Sequence, residues 1–275
     1  MRAERGTRTA RPPVFEEFEQ SGLDLRSLPG NTAKLRLILD LAASLRERGR
    51  LRVLDVGCAG PQPLNVWEPF APLFESLELV GVDVAGLDRA EERARELGLR
   101  VELLEASAMA LADHVAGGFD AVVSTQVLEH LRDWRRGIAQ MAGSLAEGGT
   151  LYLTCDSGEL RRPLAHRVWL VGKRVYARLP VQPGRWSGDW ERGQTLDDLA
   201  EESRANGLAV ERLERYALHD VKEAQRHAGT ETRRLWLALE ETLADESTAP
   251  VDTGLYGILY LRARRTTKGR SDPVS

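Results

Sequence analysis

Long hydrophobic runs are missing from this 275-residue chain. A membrane-spanning helix needs about 20 mostly apolar residues, so none is expected. Cysteine is scarce as well: only Cys58 and Cys155 are present, without metal-ligand spacing, which excludes a disulfide framework and a zinc site. No charge of one sign dominates. The formal net charge of −4 argues against a protein that binds nucleic acid over its whole surface and leaves only local basic patches. The opening MRAERGTRTARPP has charges but no apolar segment behind them, so it is no secretory signal. Residues 1–13 read as a disordered basic tail, residues 265–275 as its counterpart, and the expected location is cytoplasmic. Also missing is G-x-G-x-x-G, the glycine loop that brings a pyrophosphate against a helix N-terminus, which counts against a nicotinamide-dependent reductase.

What is there is an ordinary globular composition, 42% hydrophobic and 29% charged. From residue 31 strand-like and helix-like segments alternate. NTAKLRLILDLAASLRERG sets Leu35, Ile38, Ala42 and Leu45 on one helical stripe, with Asn31 or Thr32 as cap and Gly49 as stop. Strands are expected at 51–56, 77–83, 100–106, 119–125 and 150–155, with helices over 85–98 and 134–149. After 156 the rhythm breaks into a segment rich in arginine and tryptophan. It resumes with a helix at 195–207, where Thr195 and Asp198 resemble a capping box, and strands at 208–218 and 255–263. Between those strands a helix is expected within 221–246, with Leu235, Leu239 and Leu243 on one face. Such alternation predicts βαβ units and a parallel sheet, whose ligands sit beyond the carboxyl ends of the strands. Asp55, Asp83, Ser107, Ser124, Thr125 and Asp156 all fall there.

The turn after the first strand, LRVLDVGCAGPQP (51–63), reads acid-x-Gly-x-small. With LELVGVD (77–83), FDAVVSTQVLEHL (119–131) and LAEGGTLYLTC (145–155), it resembles the class I S-adenosylmethionine-dependent methyltransferases over roughly residues 31–157. The resemblance implies a three-layer, Rossmann-like α/β fold. Its seven-strand sheet would be mostly parallel, with the last strand antiparallel and a cap inserted after the fifth strand. It also implies S-adenosylmethionine as cofactor and a small-molecule methyl acceptor on oxygen, nitrogen or carbon, such as a saccharide, a lipid-linked compound or a natural-product intermediate. No nucleic-acid partner is implied, and the oligomeric state stays open. By family position, Asp55, Gly57, Cys58 and Ala59 form the cofactor turn, Asp83 and Val84 face the ribose, Ser107 and Ala108 lie beside the adenine, and Ser124, Thr125 and Gln126 line the methionine end. The departures are Ala59 and Pro61, where the family has glycine, and Ser107, where it often has an acid. A loop longer than the family's is therefore expected at GPQP, and a scaffold that keeps the fold without turnover is the alternative.

The implied organisation is N-terminal helices over 14–50, a cofactor core over 51–157, a cap over 158–194 and completion of the sheet over 195–264. His130 could deprotonate a hydroxyl of the acceptor or serve architecture alone. Glu129, His130 and Asp133 resemble a metal set in some quinone-type relatives, but on one helix they read as a polar face, so no metal is assigned. Cys58 reads as a small buried residue of the turn. The segment 159–192 holds eight arginines and lysines against three acids. It reads either as a lid helix or as a surface for an anionic or lipid-linked substrate. Its Trp169, Tyr176, Trp186 and Trp190 are the candidate acceptor contacts.

Overall fold

In the computed structural model the described residues are 14–28, 30–160, 193–218, 227–244 and 253–266. The tails and the candidate acceptor residues Trp169, Tyr176, Trp186 and Trp190 lie outside them.

Chain order begins with α1 (Val14–Gln20) and α2 (Thr32–Arg48). The Asn31 side chain accepts from the Lys34 N–H at the start of α2, and Gly49 ends it at φ 74°. There follow β1 (Leu51–Val56), β2 (Leu77–Asp83), α3 (Leu87–Leu97), β3 (Val101–Glu105) and β4 (Phe119–Thr125). Next come α4 (Trp134–Ser144), β5 (Leu145–Asp156), α5 (Leu196–Ala205), β6 (Leu208–Leu218), α6 (Thr230–Ala244) and β7 (Tyr256–Arg265). All seven strands form one sheet in the order β3-β2-β1-β4-β5-β7-β6. Pairing is parallel through β5, while β7 runs antiparallel to both its neighbours. This is the three-layer fold expected from the sequence, and its strand order reverses between β1 and β4.

Each face of the sheet buries one apolar cluster. Val53, Ala121, Val123 and Tyr152 meet α2 on one side, and Leu54, Val122, Leu151 and Leu153 meet α4 on the other. Strands buried on both faces are continuous apolar runs rather than alternating ones, as β1 and β4 are. The α2 face also carries charge. Arg36 donates to Asp40 (3.1 Å), to Glu241 of α6 (3.0 Å) and to Glu17 of α1, so three helices are joined at one buried guanidinium.

Several boundaries differ from expectation. The helix starting at 134 ends at Ser144, and Leu145 already pairs with Phe119. A Cβ at Gly149 would lie 2.7 Å from the Phe119 carbonyl oxygen, so this glycine serves strand contact and not a helix stop. β7 continues to Arg265, which pairs with Leu208, so the sheet reaches past residue 264. The leucine stripe of α6 does share a face, but an outward one: Leu235 is 59% and Leu239 44% exposed, whereas Leu237, Arg234 and Glu240 are buried. Beside Leu237, the inward positions hold Arg234 and Glu240, the latter with partners on α2 and β6. The expected capping box at Thr195 and Asp198 is present. At the base of the insertion, Ser157 and Gln194 form a bridge and Gly158 N donates to Gln194 O at 2.8 Å. No helix among the described residues is long and apolar enough to cross a membrane.

Candidate active site

The turn leaving β1 is built on Gly57. Its φ of 87° is left-handed, and a Cβ there would stand 2.3 Å from Val127 Cγ2. Either feature alone disfavours a side chain. Gly57→Ala is therefore expected to cost about 1–3 kcal/mol of stability through backbone strain, measured by denaturant unfolding, and to weaken any ligand held by the turn. The chain then makes the long irregular turn expected at GPQP before a 3-10 helix over Glu68–Ser76. Trp67 anchors it: fully buried, its indole N–H donates to Asp55 Oδ2 at 2.7 Å.

A cavity of about 310 Å³ opens between this turn and the ends of β1 and β4, lined in part by Lys34, Asp55, Gly57, Cys58, Thr125 and Gln126. That is within the roughly 300–1,000 Å³ of small-molecule sites. Burial pushes the Asp55 carboxyl up to about 6, against the opposing pull of the Trp67 hydrogen bond and the Lys34 charge. Burial lowers the Lys34 pKa, while the Asp55 and Glu129 carboxylates raise it. Lys34 Nζ donates to Asn65 Oδ1 at 3.4 Å.

Asp83, at the end of β2, holds the turn from the other side. Its Oδ2 accepts from Ala59 N at 2.9 Å and its Oδ1 from Val84 N at 2.8 Å. Each oxygen keeps a second lone pair. It does not cap the following helix, since Gly86 holds that position. Val84 is 54% exposed beyond the strand end. Ser107 Oγ accepts from Met109 N at 3.2 Å, and Ala108 is buried in the turn after β3. The cavity thus brings Asp55, Gly57, Cys58 and Thr125 together. Asp83, Val84, Ser107 and Ala108 lie further along the same rim, at β2 and β3. Ser124 is fully buried one residue before Thr125, its hydroxyl without a hydrogen-bond partner. Burial pushes the Cys58 thiol up, away from nucleophilic character.

The segment after β4 holds the least expected feature. Gln126 takes φ 58°, and Glu129 in the 3-10 turn Leu128–His130 is buried, with Oε2 lacking a hydrogen-bond partner. Burial first, and the Asp156 carboxylate second, push the Glu129 carboxyl up to about 8. His130 beside it is exposed. Asp133 caps α4 by accepting from Arg136 N at 3.1 Å. Among the described residues no group of three or more His, Cys, Asp and Glu is arranged to hold a metal ion. Sequence reasoning missed Lys34 and Trp67 altogether. It weighed Glu129 only as a member of a metal set or of a polar face.

The rim is that of a nucleotide-type α/β fold whose ligand turn relies on a small-residue loop and two acids, Asp55 and Asp83. Residues 54–151 match the protein family described as a methyltransferase domain. The chain is 29% identical over 185 residues to the ubiquinone biosynthesis O-methyltransferase of Bordetella avium, covering 65% of this chain and 69% of that protein. It is 33% identical over 148 residues to the protein of the same name from Xanthomonas axonopodis pv. citri, covering 51% and 56%. The fold is similar to that of Haemonchus contortus phosphoethanolamine N-methyltransferase 2 in complex with S-adenosyl-L-methionine. There the TM-score is 0.53 at 15% identity, covering 83% of this chain and 53% of that one. Over residues 54–151 the chain is thus similar to a methyltransferase domain, and S-adenosylmethionine is the cofactor that the resemblance implies.

The site fits that cofactor. A zwitterionic amino acid end matches a cavity lined by one cation, Lys34, and one carboxylate, Asp55, and the buried Gln126 Nε2 beside them has no partner.

Proposed function

We propose that the whole chain transfers a methyl group to the hydroxyl oxygen of a small phenol-like acceptor. The observation that carries this reading is the buried Glu129 carboxyl, with a free Oε2 and a pKa pushed up to about 8. A phenol titrates near 10, so a carboxylate at 8 takes its proton at modest cost. An aliphatic alcohol would lie out of its reach. That the relatives are O-methyltransferases by name supports the same choice of atom.

In this reading Asp83 accepts from the ribose hydroxyls with its remaining lone pairs, charge-assisted bonds that are stronger than neutral ones. Lys34 Nζ meets the cofactor carboxylate, and Asp55, ordered by Trp67, meets the ammonium. Ala108 and Ser107 flank the adenine. Bound S-adenosylmethionine supplies an electrophilic methyl carbon on positively charged sulfur. The chain contributes alignment, exclusion of water and a place for the acceptor proton, on Glu129 Oε2. His130, exposed one residue on, is the second candidate for that proton. The departures Ala59 and Pro61 leave the Ala59 N–H bond to Asp83 in place, so the turn keeps its tie to β2.

The excess of basic over acidic residues in 159–192 supports an acceptor that is anionic or lipid-linked. We place the enzyme in the cytoplasm, a reducing compartment suited to its two free cysteines. The test is release of S-adenosylhomocysteine with phenols, aliphatic alcohols and amines of matched size. Turnover confined to phenols is the expected result. Turnover with amines and none with phenols would overturn the reading.

A further inference from the structure

Glu240 of α6 is fully buried and does not line the cofactor cavity. Among the described residues three donors reach it. Its Oε2 accepts from Ala217 N at 3.0 Å and from the Thr32 hydroxyl, and its Oε1 accepts from Leu218 N at 3.0 Å. Two of these donors are consecutive amides at the end of β6, where Ala217 takes φ 60° while buried. A non-glycine residue persists in that conformation only where its surroundings impose it, and a carboxylate gripping both amides does so. The third donor belongs to the first residue of α2. The next carboxylate of α6, Glu241, grips α2 again at Arg36. Helix α6 therefore fixes the start of α2 at two points four residues apart, one on either side of Lys34 in the chain.

Lys34 is the residue of that turn that lines the cofactor cavity. Helical side chains lean toward the N-terminus, so a lysine in the first turn projects past the helix end, and its reach follows the placement of that turn. We infer that Glu240 is a positioning residue for cofactor recognition: through Thr32 it sets where the Lys34 ammonium stands in the cavity. The inference rests on the reading above that Lys34 meets the cofactor carboxylate. Nothing in it requires Glu240 to touch a ligand.

The experiment compares two ligands by calorimetry on the full chain. S-adenosylhomocysteine carries the amino acid end, whereas 5′-methylthioadenosine shares the nucleoside and sulfur and lacks that end. Thr32→Val removes one donor while keeping the shape and leaves Glu240 its two amides, so the fold is retained. It is expected to weaken S-adenosylhomocysteine about tenfold, the scale of a displaced charge-assisted contact, with 5′-methylthioadenosine unchanged. Thr32→Ser should restore binding. Lys34→Ala should show the same selective loss, and adding Thr32→Val to it should cost little more, because the two act on one contact. Equal weakening of both ligands by Thr32→Val, or of neither, would reduce the Glu240 contact to architecture and overturn the inference. If Lys34→Ala itself does not discriminate between the ligands, the role of Lys34 falls and the inference with it. Wild-type protein that binds neither ligand would instead sink the cofactor assignment to this cavity.

Discussion

Replacing Glu129 by glutamine is expected to lower kcat by about 10²–10⁴-fold, the usual contribution of a positioned general base, with little change in cofactor affinity. His130→Ala should cost far less if Glu129 takes the proton. Wild-type kcat should rise with pH up to about 8 and then level off, since the carboxyl must be ionised to act and its pKa is pushed to about 8. The same substitution should make the protein more stable, and the sign follows from linkage. The folded carboxyl sits above its ordinary value of 4.5, so its contribution to stability is whole below pH 4.5 and is lost as pH rises to about 8. Glutamine carries no such loss. Thermal unfolding should therefore show Glu129→Gln matching wild type near pH 4.5 and exceeding it increasingly up to pH 8. Lost activity with gained stability is the signature of a strained functional group. A stability loss at pH 8 would identify Glu129 as an architectural residue.

Asp83→Ala is expected to weaken S-adenosylhomocysteine by about 10²-fold or more, given roughly 1.5–3 kcal/mol for each hydrogen bond to a charged group and two ribose hydroxyls. Some of that loss is indirect. Asp83 also accepts from Ala59 N and Val84 N, so its removal loosens the turn on which the cofactor rests. Asp83→Asn keeps one acceptor oxygen and should fall between the two. A Kd series measured with the melting curve of each variant separates ligand contact from a collapsed turn.

The sequence made the sheet legible because its strands are apolar runs closed by turns. LRVLDV, FDAVVST and LAVERLERYAL are strands with the expected limits. The seven-strand sheet with an antiparallel β7 followed from the family resemblance. Asp55, Gly57 and Thr125 were legible as one rim because strand ends converge by topology. Lys34 was not, since on α2 it looks like any solvent-facing lysine. Its significance comes from Asp55, Asn65 and Glu129, which no helical period relates to it. Trp67 was hidden for the same reason: its indole reaches Asp55 across an irregular turn. The leucine stripe of α6 was legible as one face, but a stripe counts apolarity alone and does not say that this face points outward. Arg234 and Glu240 are buried in its place, Glu240 holding partners on β6 and α2 that lie far away in the chain.

The measurement that bears most directly on the account is calorimetric titration of the wild-type chain with S-adenosylhomocysteine, repeated on Asp83→Ala. Saturable binding by the wild type, with most of the affinity gone in a variant that still unfolds cooperatively, is the predicted result. No heat and no thermal shift with S-adenosylhomocysteine or S-adenosylmethionine would contradict the assignment of this rim to the cofactor.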